Sequence, residues 1–351
     1  MAGGTGVRFW PVSRAAKPKQ FLDVADTGKT FIQSTYERFL RVVPKENILV
    51  VTTERYRDIM KEQLPDLAPE NLLLEPYARS TAPCIAYATY TLLKRDPEAK
   101  MVVTPSDHLI EDEDLFVQTI NRVFDYIETN DVLMTLGVVP TSPDTNYGYV
   151  QACGGKAAMT SREPMPVKTF TEKPDKDMAS LFISTGEFFW NAGIFLWKAK
   201  TICSELRRHL PEVDGLFEGW ERALGSKIEG EFILRAFTDC PNISIDYGVM
   251  EKTDSLQIEH VPTHPDHFYD VHRYTLSSGT SIKIDNNDKC HVWMIVEGSH
   301  VELETAGGMK ETYNYIETFI VPAATEHYTL TNTSDNDVML VKAFVKDNYT
   351  L

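Results

Sequence analysis

The sequence predicts an α/β domain built on a mostly parallel sheet, followed by a small all-β domain. Three observations carry that prediction. From Phe31 to Leu74, segments of helical and strand-like periodicity alternate in chain order, the pattern of strand, crossover and parallel strand. From about Phe268 the helical period disappears, and short alternating strands separated by turns take over, as in an antiparallel barrel or jelly roll. At 351 residues the chain exceeds what one ordinary core serves. Two domains are expected, residues 1–262 and 268–351.

In chain order, Gly3, Gly4 and Gly6 open a loop whose backbone can approach a ligand closely and turn successive N–H groups toward an anion. Arg8, Arg14, Lys17 and Lys19 follow with no acidic residue among them. A solvated basic turn would also fit the glycine spacing alone. Such a loop normally leaves a buried parallel strand, and here it begins at Ala2, so the expected reading places the first strand of the sheet upstream of Met1. Phe31 to Val42 has helical spacing, Asn47 to Thr52 reads as a buried strand, Arg55 to Leu64 as helix and Asn71 to Leu74 as strand. Glu75 to Leu93 begins as a loop and continues as an apolar helix with Pro83 near its first turn. Met101 to Ile110 is a strand leading to Asp107, where a carboxylate could cap a helix or hold a hard cation such as magnesium. Thr135 to Gln151 reads as strand, turn and strand, with Gly148 between two tyrosines marking a bulge or a close approach. Val167 to Pro174 ends a strand at Glu172 and Lys173. Phe188 to Trp197 is an apolar strand interrupted by Asn191 and Gly193, and Lys198 to Ala236 is helical.

Composition narrows the partners. A net charge of −16 disfavours nucleic acid and anionic membranes, because a polyanion would be repelled over most of the surface. A small phosphorylated ligand in a locally basic pocket remains compatible. The five cysteines are scattered, without CxxC spacing, so neither a disulfide framework nor a zinc site is suggested. No apolar run is long enough to span a bilayer and no signal sequence opens the chain, which points to a soluble cytoplasmic protein, monomeric or a homo-oligomer.

The string GGTGVRFWPVSRAAKPKQF resembles the signature of the sugar-phosphate nucleotidyltransferases, and within them of the mannose-1-phosphate guanylyltransferases. The resemblance implies a Rossmann-like sheet and the transfer of GMP from GTP to mannose 1-phosphate, giving GDP-mannose and pyrophosphate. It implies that Gly3, Gly4, Gly6 and Arg8 hold the triphosphate and that Lys19 reaches the reacting phosphates. EPYARSTAP is similar to the segment that reads the guanine base, implicating Arg79, Thr81 and Pro83, with Ser80 where the family has asparagine. PSDH resembles the metal-binding strand end, which makes Asp107 the magnesium (Mg2+) ligand. PTSPDTNYGYV, TEKP and WNAG resemble the elements that face the sugar phosphate, implicating Gly148, Glu172, Lys173 and Asn191. Asn146 and Ala192 replace the usual glycine and serine. SIDYGVMEKT adds Asp246.

After Pro262 the family pattern breaks. A WxDVGSW loop normally supplies a second metal-binding aspartate. This chain reads THPDHFYDVHRYTL, in which Asp270 is the remaining candidate. The strands beyond resemble a cupin, most closely the C-terminal cupin of type I phosphomannose isomerases. His264, His267, His272, His291 and His327 invite a metal, but the clustered HxH motif of metal-binding cupins is missing and a structural role is preferred. Two alternatives to an active guanylyltransferase stand beside it: a sugar-nucleotide binding or regulatory protein with weakened catalysis, and a phosphomannose isomerase-related protein.

Overall fold

The computed structural model describes residues 1–4, 13–24, 27–161, 163–261, 269–286 and 289–345, with the backbone alone at 269–272 and 345. The chain forms two compact units, Met1–Thr263 and His264–Leu351.

The first unit alternates helices and strands. α1 (Phe31–Leu40) leads to β1 (Val50–Thr53), α2 (Arg57–Gln63) to β2 (Leu72–Glu75), and α3 (Thr81–Arg95) to β3 (Lys100–Val103). α4 (Glu113–Thr129) precedes β4 (Leu133–Val138), and β5 (Tyr149–Ala152), β6 (Met165–Thr171), α5 (Lys176–Thr185) and β7 (Phe188–Lys198) follow. α6 (Ala199–His209), α7 (Pro211–Leu216), α8 (Trp220–Ala223) and α9 (Glu229–Asp239) form the helical stretch before β8 (Leu256–His260).

β1 and β2 pair in parallel. A six-stranded sheet runs β3-β7-β4-β8-β6-β5. In it β4 and β8 are parallel, and β3 shares their direction because β3 and β4 are each antiparallel to β7. The long β7 therefore crosses the parallel frame in the opposite sense, and β5 with β6 adds an antiparallel hairpin beyond it. Antiparallel neighbours need no helical crossover, so a strand reached by a short return can be inserted this way.

Local chemistry explains the helices that frame the site. α4 starts where the Asp112 carboxylate accepts a hydrogen bond from the Leu115 N–H at 2.9 Å. Phe116, Ile120, Val123 and Ile127 recur on one face and are all buried, each adding about 1.5–3 kcal/mol relative to exposure. α3 is buried along most of its length and ends with Lys94 and Arg95, whose charges suit the negative end of the helix dipole. No helix among the described residues is long and apolar enough to cross a membrane.

The second unit contains β9 (Tyr269–Leu276), β10 (Ser281–Asp285), β11 (His291–Glu297), β12 (His300–Thr305), β13 (Lys310–Asn314), β14 (Thr318–Val321), β15 (His327–Thr331) and β16 (Val338–Val345). They make two four-stranded sheets, ordered β10-β15-β12-β13 and β14-β11-β16-β9. All pairings are antiparallel, and this strand order is that of a double-sheet jelly roll, the architecture of cupins. Trp293 and Ile295, Val301 and Leu303, Phe319 and Val321, Tyr328 and Leu330, and Val338 and Leu340 alternate inward to form its core. Gly298 turns β11 into β12 at φ +94°, where a side chain would meet the Asp337 carbonyl at 2.7 Å.

Candidate active site

The PKQF string is explained by packing. Phe21 is fully buried, its ring 5.6 Å from that of Tyr56. That anchor holds a tight turn, Lys19–Phe21, in which the Phe21 N–H donates to the Pro18 carbonyl. Gln20, also buried, points the other way and donates to the carbonyls of Ala2 and Gly4, both at 2.9 Å. The glutamine thus clamps the glycine loop, a role that the loop's own sequence did not reveal. Lys19 projects forward, with Nζ 5.0 Å from the centroid of the Phe31 ring and 3.6 Å from Asp107 Oδ2. Two candidates 88 positions apart in the sequence are brought together there. Asp107 lies in the loop after β3 with its side chain 38% exposed, and Lys19 is 20% exposed.

Behind the loop, a Cβ on Gly3 would sit 3.1 Å from Glu75 Oε2, whereas Gly4 has open space around it. Glu75 ends β2 and is buried, and burial pushes its carboxyl up to about 7 against the opposing pull of the Met1 ammonium. Glu75 closes the apolar run LLLE and opens the EPYARSTAP string, but it is not among the candidates read from that string. Gly6 and Arg8 lie outside the described residues.

The EPYARSTAP segment is tied to the chain near Asp246. Arg79 donates from Nε to the Phe237 carbonyl and from Nη2 to the Thr238 carbonyl, both at 2.9 Å, which satisfies acceptors in the last turn of α9. Thr81 Oγ1 accepts from the Ile245 N–H at 2.8 Å, and Pro83 is buried in the first turn of α3. Ser80, the residue before that helix, has φ 65° and ψ −164°, a region that only glycine enters freely.

Gly148, Glu172, Lys173, Asn191 and Asp246 converge in one place. A Cβ on Gly148 would stand 2.5 Å from Glu172 Oε2 and 3.3 Å from Asn191 Cβ, so the absent side chain makes room for both. The Asn191 N–H donates to the Gly148 carbonyl at 2.8 Å. The Asn191 side chain accepts from Thr135 Oγ1 at 2.8 Å and donates to Asp246 Oδ1 at 3.0 Å. Thr135 is a further member that no sequence motif marks. Lys173, at φ 47°, folds back to pair with the Glu172 carboxylate. The Glu172 N–H donates to Glu251 at 2.8 Å. Burial and then the Glu172 charge push the Asp246 carboxyl up to about 6, while its hydrogen bond from Asn191 pulls the other way. Asp246 begins a single π-type turn, Asp246–Met250, a form frequent at functional sites. Tyr147, half exposed, stacks on Trp190 at 4.7 Å and edges this pocket.

Two links join the halves. β7 carries Asn191 and Gly193, and a Cβ on Gly193 would meet Pro105 Cγ at 3.7 Å, two residues from Asp107. The Thr81 to Ile245 bond links the EPYARSTAP segment to the residue next to Asp246.

For a metal, Asp107 offers a partly exposed carboxylate. Among the described residues no three His, Cys, Asp or Glu side chains gather into a cage. Asp270 belongs by its backbone to β9 of the second unit, opposite Phe344, and its side chain is outside the described set. So are His264, His267 and the side chain of His272. His291 is buried in the jelly roll, its Nδ1 2.7 Å from the Tyr328 hydroxyl, which accepts from Trp293 Nε1. Burial and the nearby Lys342 and Lys289 lower its pKa to about 4, consistent with a packed neutral imidazole.

The nucleotidyl transferase family matches residues 1–226. Mannose-1-phosphate guanylyltransferase 2 of Escherichia coli O157:H7 is 33% identical over 364 aligned residues, covering 99% of this chain and 72% of that protein. The chain spans about half the length of other curated mannose-1-phosphate guanylyltransferases it matches, 53% for that of Escherichia coli K12 at 37% identity. Among solved structures, one described as a mannose-1-phosphate geranyltransferase from Thermus thermophilus superposes with a TM-score of 0.64 at 32% identity, covering 74% of this chain and 72% of that one. A mannose-6-phosphate isomerase from Helicobacter pylori gives 0.58 at 27% identity, over 70% and 93% of the two chains.

Proposed function

The chain belongs to the nucleotidyl transferase family, alongside mannose-1-phosphate guanylyltransferases, and on that premise we propose that it transfers GMP from GTP to mannose 1-phosphate in the cytoplasm. The observation that carries this reading is the convergence of Gly148, Glu172, Asn191 and Asp246 into one polar pocket, linked through β7 to the loop where Lys19 meets Asp107. One half suits a sugar phosphate and the other a triphosphate.

A phosphate oxygen of mannose 1-phosphate attacks the α-phosphorus of GTP in line. The new P–O bond forms as the bond to the bridging oxygen breaks, and that electron pair leaves with pyrophosphate. Such chemistry needs positioning and charge neutralisation rather than a covalent nucleophile. Glu172 accepts hydrogen bonds from sugar hydroxyls, Asn191 orients the ring, and Lys173 swings from Glu172 to the sugar phosphate. Lys19 neutralises the triphosphate, whose oxygens meet the N–H groups of Gly3 and Gly4, and the resemblance adds Gly6 and Arg8 to that set. Arg79, Thr81 and Pro83 shape the base pocket, Arg79 through its hold on the end of α9.

One carboxylate completed by substrate phosphates is a ligand set that magnesium accepts, so Asp107 would hold it, and when bound the ion supplies further charge neutralisation. Pyrophosphate release from GTP and mannose 1-phosphate, dependent on magnesium, is the test. Release with no nucleotide and sugar-phosphate pair would overturn the proposal, and calorimetric binding of GDP-mannose without turnover would favour a binding protein instead.

A further inference from the structure

The turn that carries Glu172 and Lys173 is held against its own local preference. Lys173 sits at φ 47°, in the left-handed region that a Cβ disfavours. It also precedes Pro174, and a proline pushes the residue before it toward extended backbone at negative φ. Pro174 is buried and anchors the far end of the turn. Backbone strain of this kind persists only where surrounding contacts over-determine it, and it clusters at binding sites.

Those contacts come from the π-type turn that begins at Asp246. Such a turn closes with an i to i+5 bond, one residue later than an α-helix does. The N–H that reaches the Asp246 carbonyl is therefore that of Glu251, at 3.0 Å, rather than that of Met250. The Glu251 side chain in turn accepts from the Glu172 N–H at 2.8 Å, across 79 positions of sequence. On the other side of the same residue, the Tyr247 hydroxyl stands 3.5 Å from the Glu172 carbonyl, the outer limit of a hydrogen bond. Glu251 thus ties the backbone of Glu172 to that of Asp246, although the charges of those two carboxylates oppose their approach.

We propose that Glu251 is a positioning residue for the sugar phosphate. Through the Glu172 N–H it holds the Glu172–Lys173 turn in its left-handed form, so that the Glu172 carboxylate stays beside Gly148 and Lys173 stays paired with it until a sugar phosphate arrives. The assignment rests on the proposed reading of this pocket as a sugar-phosphate site. Glu251 acts through Glu172 and is itself exposed, so its removal should spare the fold.

The test compares Glu251→Ala, which removes the acceptor, with Glu251→Gln, which keeps an accepting oxygen in the same place. In Glu251→Ala the KM for mannose 1-phosphate should rise about 10-fold, with kcat and the KM for GTP within about twofold and Tm within about 2 °C. Glu251→Gln should bring that KM back to within about threefold of the unsubstituted chain. Hydrogen exchange at the Glu172 amide, followed by NMR, should quicken at least about tenfold in the alanine variant alone. An unchanged KM in Glu251→Ala, equal losses in both variants, or a Glu172 amide that exchanges at one rate in all three proteins would each overturn the assignment. An unsubstituted chain that turns over no mannose 1-phosphate would overturn the proposed reaction and the substrate named here, and the amide exchange alone then decides whether Glu251 holds the turn.

Discussion

Gly148→Ala tests the proposed sugar half of the site. Gly148 lies outside the left-handed region, so its backbone accepts alanine. The obstacle is the new Cβ, 2.5 Å from Glu172 Oε2 where ordinary contact starts near 3.4 Å, so the carboxylate must retreat by about 1 Å. Asn191 Cβ, at 3.3 Å, is itself closer than ordinary contact, so the new methyl has little room to shift away. The displaced group ends a flexible side chain, so the fold should lose less than about 1 kcal/mol. A misplacement of about 1 Å in a positioning group can lower catalysis about 100-fold. The expected result is therefore a fall of about 100-fold in kcat/KM for mannose 1-phosphate, with the KM for GTP within about twofold and Tm nearly unchanged. Pyrophosphate release measured while each substrate is varied, with thermal denaturation alongside, gives these quantities. A double-mutant cycle with Glu172→Ala adds an internal check, since alanine at 148 should cost little once the carboxylate is gone. Unchanged kinetics for mannose 1-phosphate, equal losses for both substrates, or additivity in the cycle would refute the reasoning.

Asp246→Asn tests the buried carboxyl. Its folded value of about 6 lies above the ordinary 3.8, so the native state holds the proton more tightly. Stability is then fullest below the unfolded value, falls as pH rises from about 4 to 6, and stays reduced above that. The displacement corresponds to at most about 3 kcal/mol. Urea denaturation should show the asparagine variant gaining about 1–3 kcal/mol at pH 7.5 relative to its difference at pH 4, and a pH-independent difference would count against it. Lys19→Met should lower kcat about 100-fold to 1,000-fold while leaving Tm within about 2 °C, and a variant with normal turnover would remove Lys19 from the reacting phosphates. Ser80→Gly should relieve its strained backbone and stabilise the protein by about 1 kcal/mol, measured by denaturant titration, with a loss of stability refuting the strain.

Much of this molecule was legible in its sequence because short-range patterns are local. Alternation along β11, β12, β15 and β16 marked the jelly-roll core, and the 3.6-residue period marked α1, whereas α4 was not read from the sequence. The resemblance of the strings PKQF, EKP and WNAG to family motifs pointed to Lys19, Glu172 and Asn191, while local pattern alone gave only turns and strand ends. Sequence could not show that Gln20 clamps the glycine loop, that Thr135 braces Asn191, or that Arg79 spends its guanidinium on the end of α9. Those partners are remote in the chain and carry ordinary side chains. The antiparallel sense of β7 was likewise decided only by packing, since a strand's direction is set by the neighbours it pairs with. Local sequence determined which residue types stand at which turn. Tertiary structure decided which of them meet, because the hydrogen bonds and steric gaps that make the pocket join remote segments, 56 residues apart for Thr135 and Asn191, and the energy of each contact exists only once the chain has closed around it.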